Sequence, residues 1–94
     1  MQQTSLPSKV KISSDILFQQ LGDEYVLLNM ESEKYFGLDE VAARFWQLLE
    51  ADSSTQKALE TVQAEYEADP ETIKEDLRIF LQRLADEKLI TIEE

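Results

Sequence analysis

The chain has 94 residues, enough for one small domain with a single thin core. It contains no cysteine and no histidine, which excludes disulfides, zinc–thiolate sites and the commonest general base. Twenty acidic residues against nine basic ones give a formal net charge of -11, so phosphate backbones would be repelled rather than bound. Partners are expected among basic or neutral molecules. Hydrophobic residues make up 43 % of the chain, a globular share rather than a disordered one. No apolar run approaches the roughly 20 residues of a membrane helix. The start, Met1-Gln2-Gln3-Thr4-Ser5, has neither the basic region nor the apolar core of a signal peptide. A cytosolic chain with no membrane and no nucleic-acid partner is expected.

In chain order, Met1 to Ser8 reads as a loose polar tail of an otherwise single-domain chain. Lys9-Val10-Lys11-Ile12 alternates polar and apolar and is expected to lie extended against the body, where it could cover the edge of the next strand. Ile16 to Leu21 is a strand, and Gly22-Asp23 a turn in which glycine accepts positive φ at low cost. Tyr25 to Met30 is nearly continuous in apolar residues, as a central strand covered on much of both faces would be. Glu31-Ser32-Glu33 is a hairpin loop, and Lys34 to Leu38 returns as a third strand. Alternation puts Lys34, Phe36 and Leu38 on one face of it and Tyr35 and Gly37 on the other. Short links favour an antiparallel meander.

Asp39 has the chemistry of a helix N-cap, a carboxylate facing free N–H groups at the positive end of the dipole. The first helix runs to about Glu50, with Val41, Phe45, Leu48 and Leu49 on one stripe that Ala42 and Trp46 widen. Ser53 followed by Gln56 matches a capping box for a second helix, which turns Ala58, Leu59, Val62 and Tyr66 inward. Asp69-Pro70 opens a third helix, with proline where its missing N–H costs nothing. Its stripe is Ile73, Leu77, Phe80, Leu81 and Leu84. Ala85 to Lys88 closes it, and Leu89 to Ile92 packs down or adds a marginal strand. The fold class expected is α+β and winged-helix-like: a three-stranded antiparallel sheet followed by three helices.

No stretch declares catalytic chemistry. The acidic clusters lack the alternating oxygen spacing of a calcium loop and read as solvated surface. The two glycines fit no phosphate-binding motif. Gly37 marks either a bulge or a place where another backbone approaches closely. The third strand is a sheet edge, which presents unpaired N–H and C=O groups to which a peptide can add as a further strand.

The runs Val26-Leu27-Leu28-Asn29, Lys34-Tyr35-Phe36-Gly37-Leu38-Asp39 and Ala43-Arg44-Phe45-Trp46-Gln47-Leu48-Leu49 together resemble the PqqD-like family. So do the later pieces Glu65-Tyr66, Asp69-Pro70-Glu71, Asp76-Leu77 and Phe80-Leu81-Gln82-Arg83-Leu84, in the same order. The resemblance covers Ile16 to Ile90. It implies the recognition element of ribosomally made, modified peptides: a non-catalytic winged-helix-like domain without cofactor or metal. Such a domain holds the leader of a precursor peptide against its third strand, beside its third helix. It delivers the peptide to a modifying enzyme or leader protease, as in quinone-cofactor or lasso-peptide pathways, and the Tyr-Phe-Gly-Leu-Asp run favours the latter. The expected peptide contacts are the backbone of Glu33, Lys34, Tyr35, Phe36 and Gly37, then the side chains of Tyr35, Ile73, Leu77, Phe80 and Leu81 as apolar partners. Lys34, Asp76 and Arg83 would orient polar groups of the leader. Many PqqD-like chains have a glycine near the end of the third helix, where this one has Asp86-Glu87-Lys88, so a different final turn is expected. The other reading of the same elements is a small winged-helix domain that docks a protein partner through its helices.

Overall fold

The computed structural model describes residues 9–93, so the expected tail, Met1 to Ser8, lies outside the described residues. In chain order the elements are β1 (Lys9–Ile12), β2 (Ile16–Leu21), β3 (Glu24–Asn29), β4 (Lys34–Leu38), α1 (Glu40–Ala51), α2 (Thr55–Glu65), α3 (Pro70–Asp86) and β5 (Ile90–Glu93). Strands β2, β3 and β4 form an antiparallel sheet in that order, and the three helices follow, as expected. The pairing of β3 with β4 is unbroken from Tyr25↔Leu38 to Asn29↔Lys34.

The remaining two strands correct one expectation. β1 does not cover the edge of β2; it pairs with β5, from Lys9↔Glu93 to Ile12↔Ile90. This two-stranded ribbon joins the two ends of the described chain, and it is anchored by Val10 and Ile90, both buried in the core. Among the described residues the outer edge of β2 has no strand partner.

Each helix starts at a side-chain cap. Asp39 Oδ1 accepts from the Ala42 N–H at 2.8 Å and Asp69 Oδ2 accepts from the Thr72 N–H at 3.2 Å, each satisfying an N–H with no partner inside its helix. Pro70 occupies the first turn of α3. The cap of α2 is Ser54 and not Ser53: the Ser54 hydroxyl accepts from the Lys57 N–H at 3.3 Å. Asp52 accepts from the Ser54 N–H and so sets that turn.

The helices cover one face of the β2–β3–β4 sheet. From α1, Phe45 and Trp46 are fully enclosed; from α3, the whole expected stripe of Ile73, Leu77, Phe80, Leu81 and Leu84 is buried. Burying a side chain of this kind stabilises by about 1.5–3 kcal/mol relative to exposure. Leu27, at the centre of β3, is buried completely, but its neighbours Val26 and Leu28 are only half-buried. The near-continuous apolar run of β3 therefore has its helix-covered face closed and its other face partly open. Leu17 and Tyr35 flank Leu28 in register on that open face. They are 40 % and 72 % exposed.

Candidate functional site: a groove between β4 and α3

Phe36 is the hinge of the site. Alternation along β4 turns it toward the helices, where its ring meets Phe80 edge-on at 6.1 Å and lies 5.0 Å beneath the Arg83 guanidinium. Phe80 in turn meets Phe45 of α1 edge-on at 6.3 Å. Three aromatic rings and one cation thus fix the spacing between β4 and α3.

Alongside them runs a groove of about 480 Å³. Of the residues expected to contact peptide, it brings together Phe36, Gly37, Ile73, Asp76, Leu77, Phe80 and Arg83. An adjoining recess of about 590 Å³ lies at the other end of β4, and Phe36 lines both. Lys34 and Tyr35 line this recess, facing Asp86 and Glu87 at the end of α3. Glu33 and Leu81 line neither. Leu81 is 1 % exposed and belongs to the core, while Glu33 adopts positive φ at the end of the β3–β4 loop. Alternation puts the side chain of Tyr35 on the face away from Phe36, across from Leu28.

α3 presents two stripes. The buried one is the core stripe. The second, Thr72, Asp76, Ile79 and Arg83, falls at i, i+4, i+7 and i+11, and all four residues are exposed and line the groove. Ile79 is a groove residue that the search for a core stripe passes over. The signal for it is an apolar residue off the stripe, 44 % exposed on a helix whose other large apolar residues are buried.

Gly37 is not a bulge. It sits opposite Val26 in unbroken register, and a Cβ built on it would meet no atom within 4 Å. Neither its own backbone nor its neighbours require glycine. Among the described residues β4 has β3 on one side and no strand on the other. Among the described residues that side is a sheet edge, the kind of backbone to which a further strand can add.

The end of α3 carries a Schellman turn: Lys88 N–H donates to Ala85 C=O at 3.0 Å and Leu89 N–H donates to Leu84 C=O at 2.9 Å. Lys88 stands at φ 64°, in the left-handed position that glycine usually fills. The turn geometry that a glycine would favour is thus formed by a lysine, and Leu89 is still delivered into the core.

The sequence profile of PqqD, coenzyme PQQ synthesis protein D, matches residues 24–90. The chain belongs to the PqqD family. That span runs from the start of β3 to the start of β5 and holds the whole groove. Among solved structures, one similar chain is TbiB1, described in complex with the TbiA(beta) leader peptide. It is 40 % identical, with a TM-score of 0.75, over 85 % of this chain and 93 % of that one. A second is a lasso peptide synthetase B1 complexed with a leader peptide, at 22 % identity and a TM-score of 0.75, over 87 % of this chain and 96 % of that one. The second likeness shows the shared fold. No curated protein matches the chain.

Proposed function

We propose that this PqqD-family chain is a cytoplasmic, non-catalytic binding protein for the leader of a ribosomally made precursor peptide, which it delivers to a modifying enzyme or leader protease. The observation that carries the reading is the edge of β4: among the described residues a strand partner on one side only, with an apolar groove to α3 alongside. The 40 % identical TbiB1 was solved with a leader peptide, which supports the same class of guest here. The guest adds to β4 as a strand, with alternate side chains entering the groove over Phe36, Phe80 and Ile79. Main-chain hydrogen bonds supply affinity and the pockets supply selectivity. A micromolar complex requires about -8 kcal/mol. Holding the leader raises the effective concentration of the attached core peptide at the enzyme. In this reading the chain itself performs no bond-making step, and the Tyr-Phe-Gly-Leu-Asp run of residues 35–39 favours a lasso-peptide pathway.

An N-methyl scan of the leader of the precursor peptide encoded alongside the chain tests strand addition. Removing one leader N–H at a time should weaken binding at every second position and leave the positions between nearly unchanged. A flat profile, or a run of consecutive sensitive positions, contradicts strand addition.

A further inference from the structure

The groove wall on α3 carries two charges that have no ion-pair partner among the described residues. Of the three arginines, Arg44 is held by both carboxylate oxygens of Glu65 at 2.8 Å, and Arg78 by those of Glu75 at 3.1 and 2.7 Å. Arg83 has no carboxylate partner among the described residues, in a chain with 20 acidic residues. Its guanidinium is instead held over Phe36, with the edges of the fork left free. Asp76 also has no ion-pair or hydrogen-bond partner among the described residues, and it lines the same groove. The two lie seven residues apart on one face of α3, a rise of about 10.5 Å.

The groove has a direction. Lys34 and Tyr35, at the start of β4, share a recess with Asp86 and Glu87 at the end of α3, while Gly37 and Leu38, at its end, share the groove with the earlier part of α3, Thr72 to Arg83. β4 and α3 therefore run in opposite senses. A guest strand antiparallel to β4, the commoner pairing, runs in the same sense as α3. Its earlier residues pass Asp76 and its later ones pass Arg83. Side chains on the face of a strand that meets the helix recur about every 7 Å, so two or four residues bridge the distance between the charges.

We infer that the groove reads charge order in its guest: a Lys or Arg near Asp76, followed two or four residues later by an Asp or Glu held bidentate by Arg83. The inference rests on the leader-binding reading and adds to it a residue class and a direction. The overall charge of -11 attracts basic guests from a distance, whereas the Arg83 contact fixes which residue lies where. Bidentate Arg–carboxylate pairs have the geometric specificity for that role.

The test uses a displayed library of random dodecapeptides selected on the full chain and on its Arg83→Glu and Asp76→Lys variants, each first shown by thermal melting to be folded. The unaltered chain should enrich the basic-then-acidic order at that spacing. Arg83→Glu should lose the later acidic residue and gain a basic one there; Asp76→Lys should change only the earlier position. For the best peptide on the unaltered chain, replacing its acidic residue by the matching amide should weaken binding about tenfold. The same replacement should have little effect on binding to Arg83→Gln, so the two changes couple. Identical charge patterns from all three selections, or additive losses, overturn the inference. If peptides are retained without charge preference yet are lost on Ile79→Arg, leader binding stands and the charge reading falls. If no peptide is retained, both fall.

Discussion

The guanidinium of Arg83 lies 5.0 Å from the centre of the Phe36 ring, and through this contact α3 and β4 meet across the groove. Phe36 is half-buried, and its ring also meets Phe80 of α3 edge-on at 6.1 Å. Truncation of Phe36 to alanine should therefore loosen both walls of the groove at once. The expected cost is about 2–3 kcal/mol of unfolding free energy, below that of a fully enclosed phenylalanine, with loss of leader binding. Urea unfolding and a binding titration on the same sample check the two effects.

Ile79 and Leu77 separate binding from stability. Leu77 is 2 % exposed, so Leu77→Ala should cost about 2–5 kcal/mol of stability. Ile79 is 44 % exposed and lines the groove, so Ile79→Ala should leave the urea midpoint nearly unchanged while weakening the leader complex. A large loss of stability in Ile79→Ala, or unchanged leader affinity, would place Ile79 outside the site.

Lys88 offers the reverse test, a gain. With φ at 64°, its side chain opposes a turn that glycine would adopt freely. Lys88→Gly should raise stability by about 1 kcal/mol, visible as a higher urea midpoint at constant slope. The leader affinity should change little, because the turn geometry is already in place.

Arg44 and Glu65 bring α1 to α2 through two hydrogen bonds at 2.8 Å. The hydrogen bonds from Arg44 hold the Glu65 carboxyl below its ordinary value of 4.5. A carboxylate with a folded pKa below its unfolded one contributes stability above the unfolded value and loses it as pH falls through the folded value. Arg44→Gln should thus be less stable than the unaltered chain near pH ~7. The gap between the two should close as pH falls below about 4. Melting temperatures across pH check this, and the effect should also shrink in high salt because the pair is exposed.

Much of this arrangement was legible in the residues. Asp39 and the Asp69-Pro70 pair announce their helix starts through local chemistry alone, and the α3 stripe follows from helical spacing. What was not legible depends on contacts distant in sequence or on near-equivalent neighbours. The pairing of β1 with β5 joins residues some 80 positions apart, and nothing in Lys9–Ile12 distinguishes that partner from the edge of β2. Ser53 and Ser54 have the same capping chemistry, and the choice falls to Ser54 as Asp52 accepts its N–H. Gly37 could be read as a bulge until the unbroken register excluded it. The groove stripe through Ile79 emerges only once the core stripe is seen to be fully buried, leaving a second face of α3 beside β4.

The most direct measurement of the central claim is backbone amide hydrogen exchange of the chain with and without the leader peptide. Strand addition to β4 predicts new protection at alternate residues between Lys34 and Leu38, with smaller changes on α3 from Thr72 to Arg83 and none along β2. Unchanged exchange in β4, with new protection confined to β2 or to α2, would contradict it.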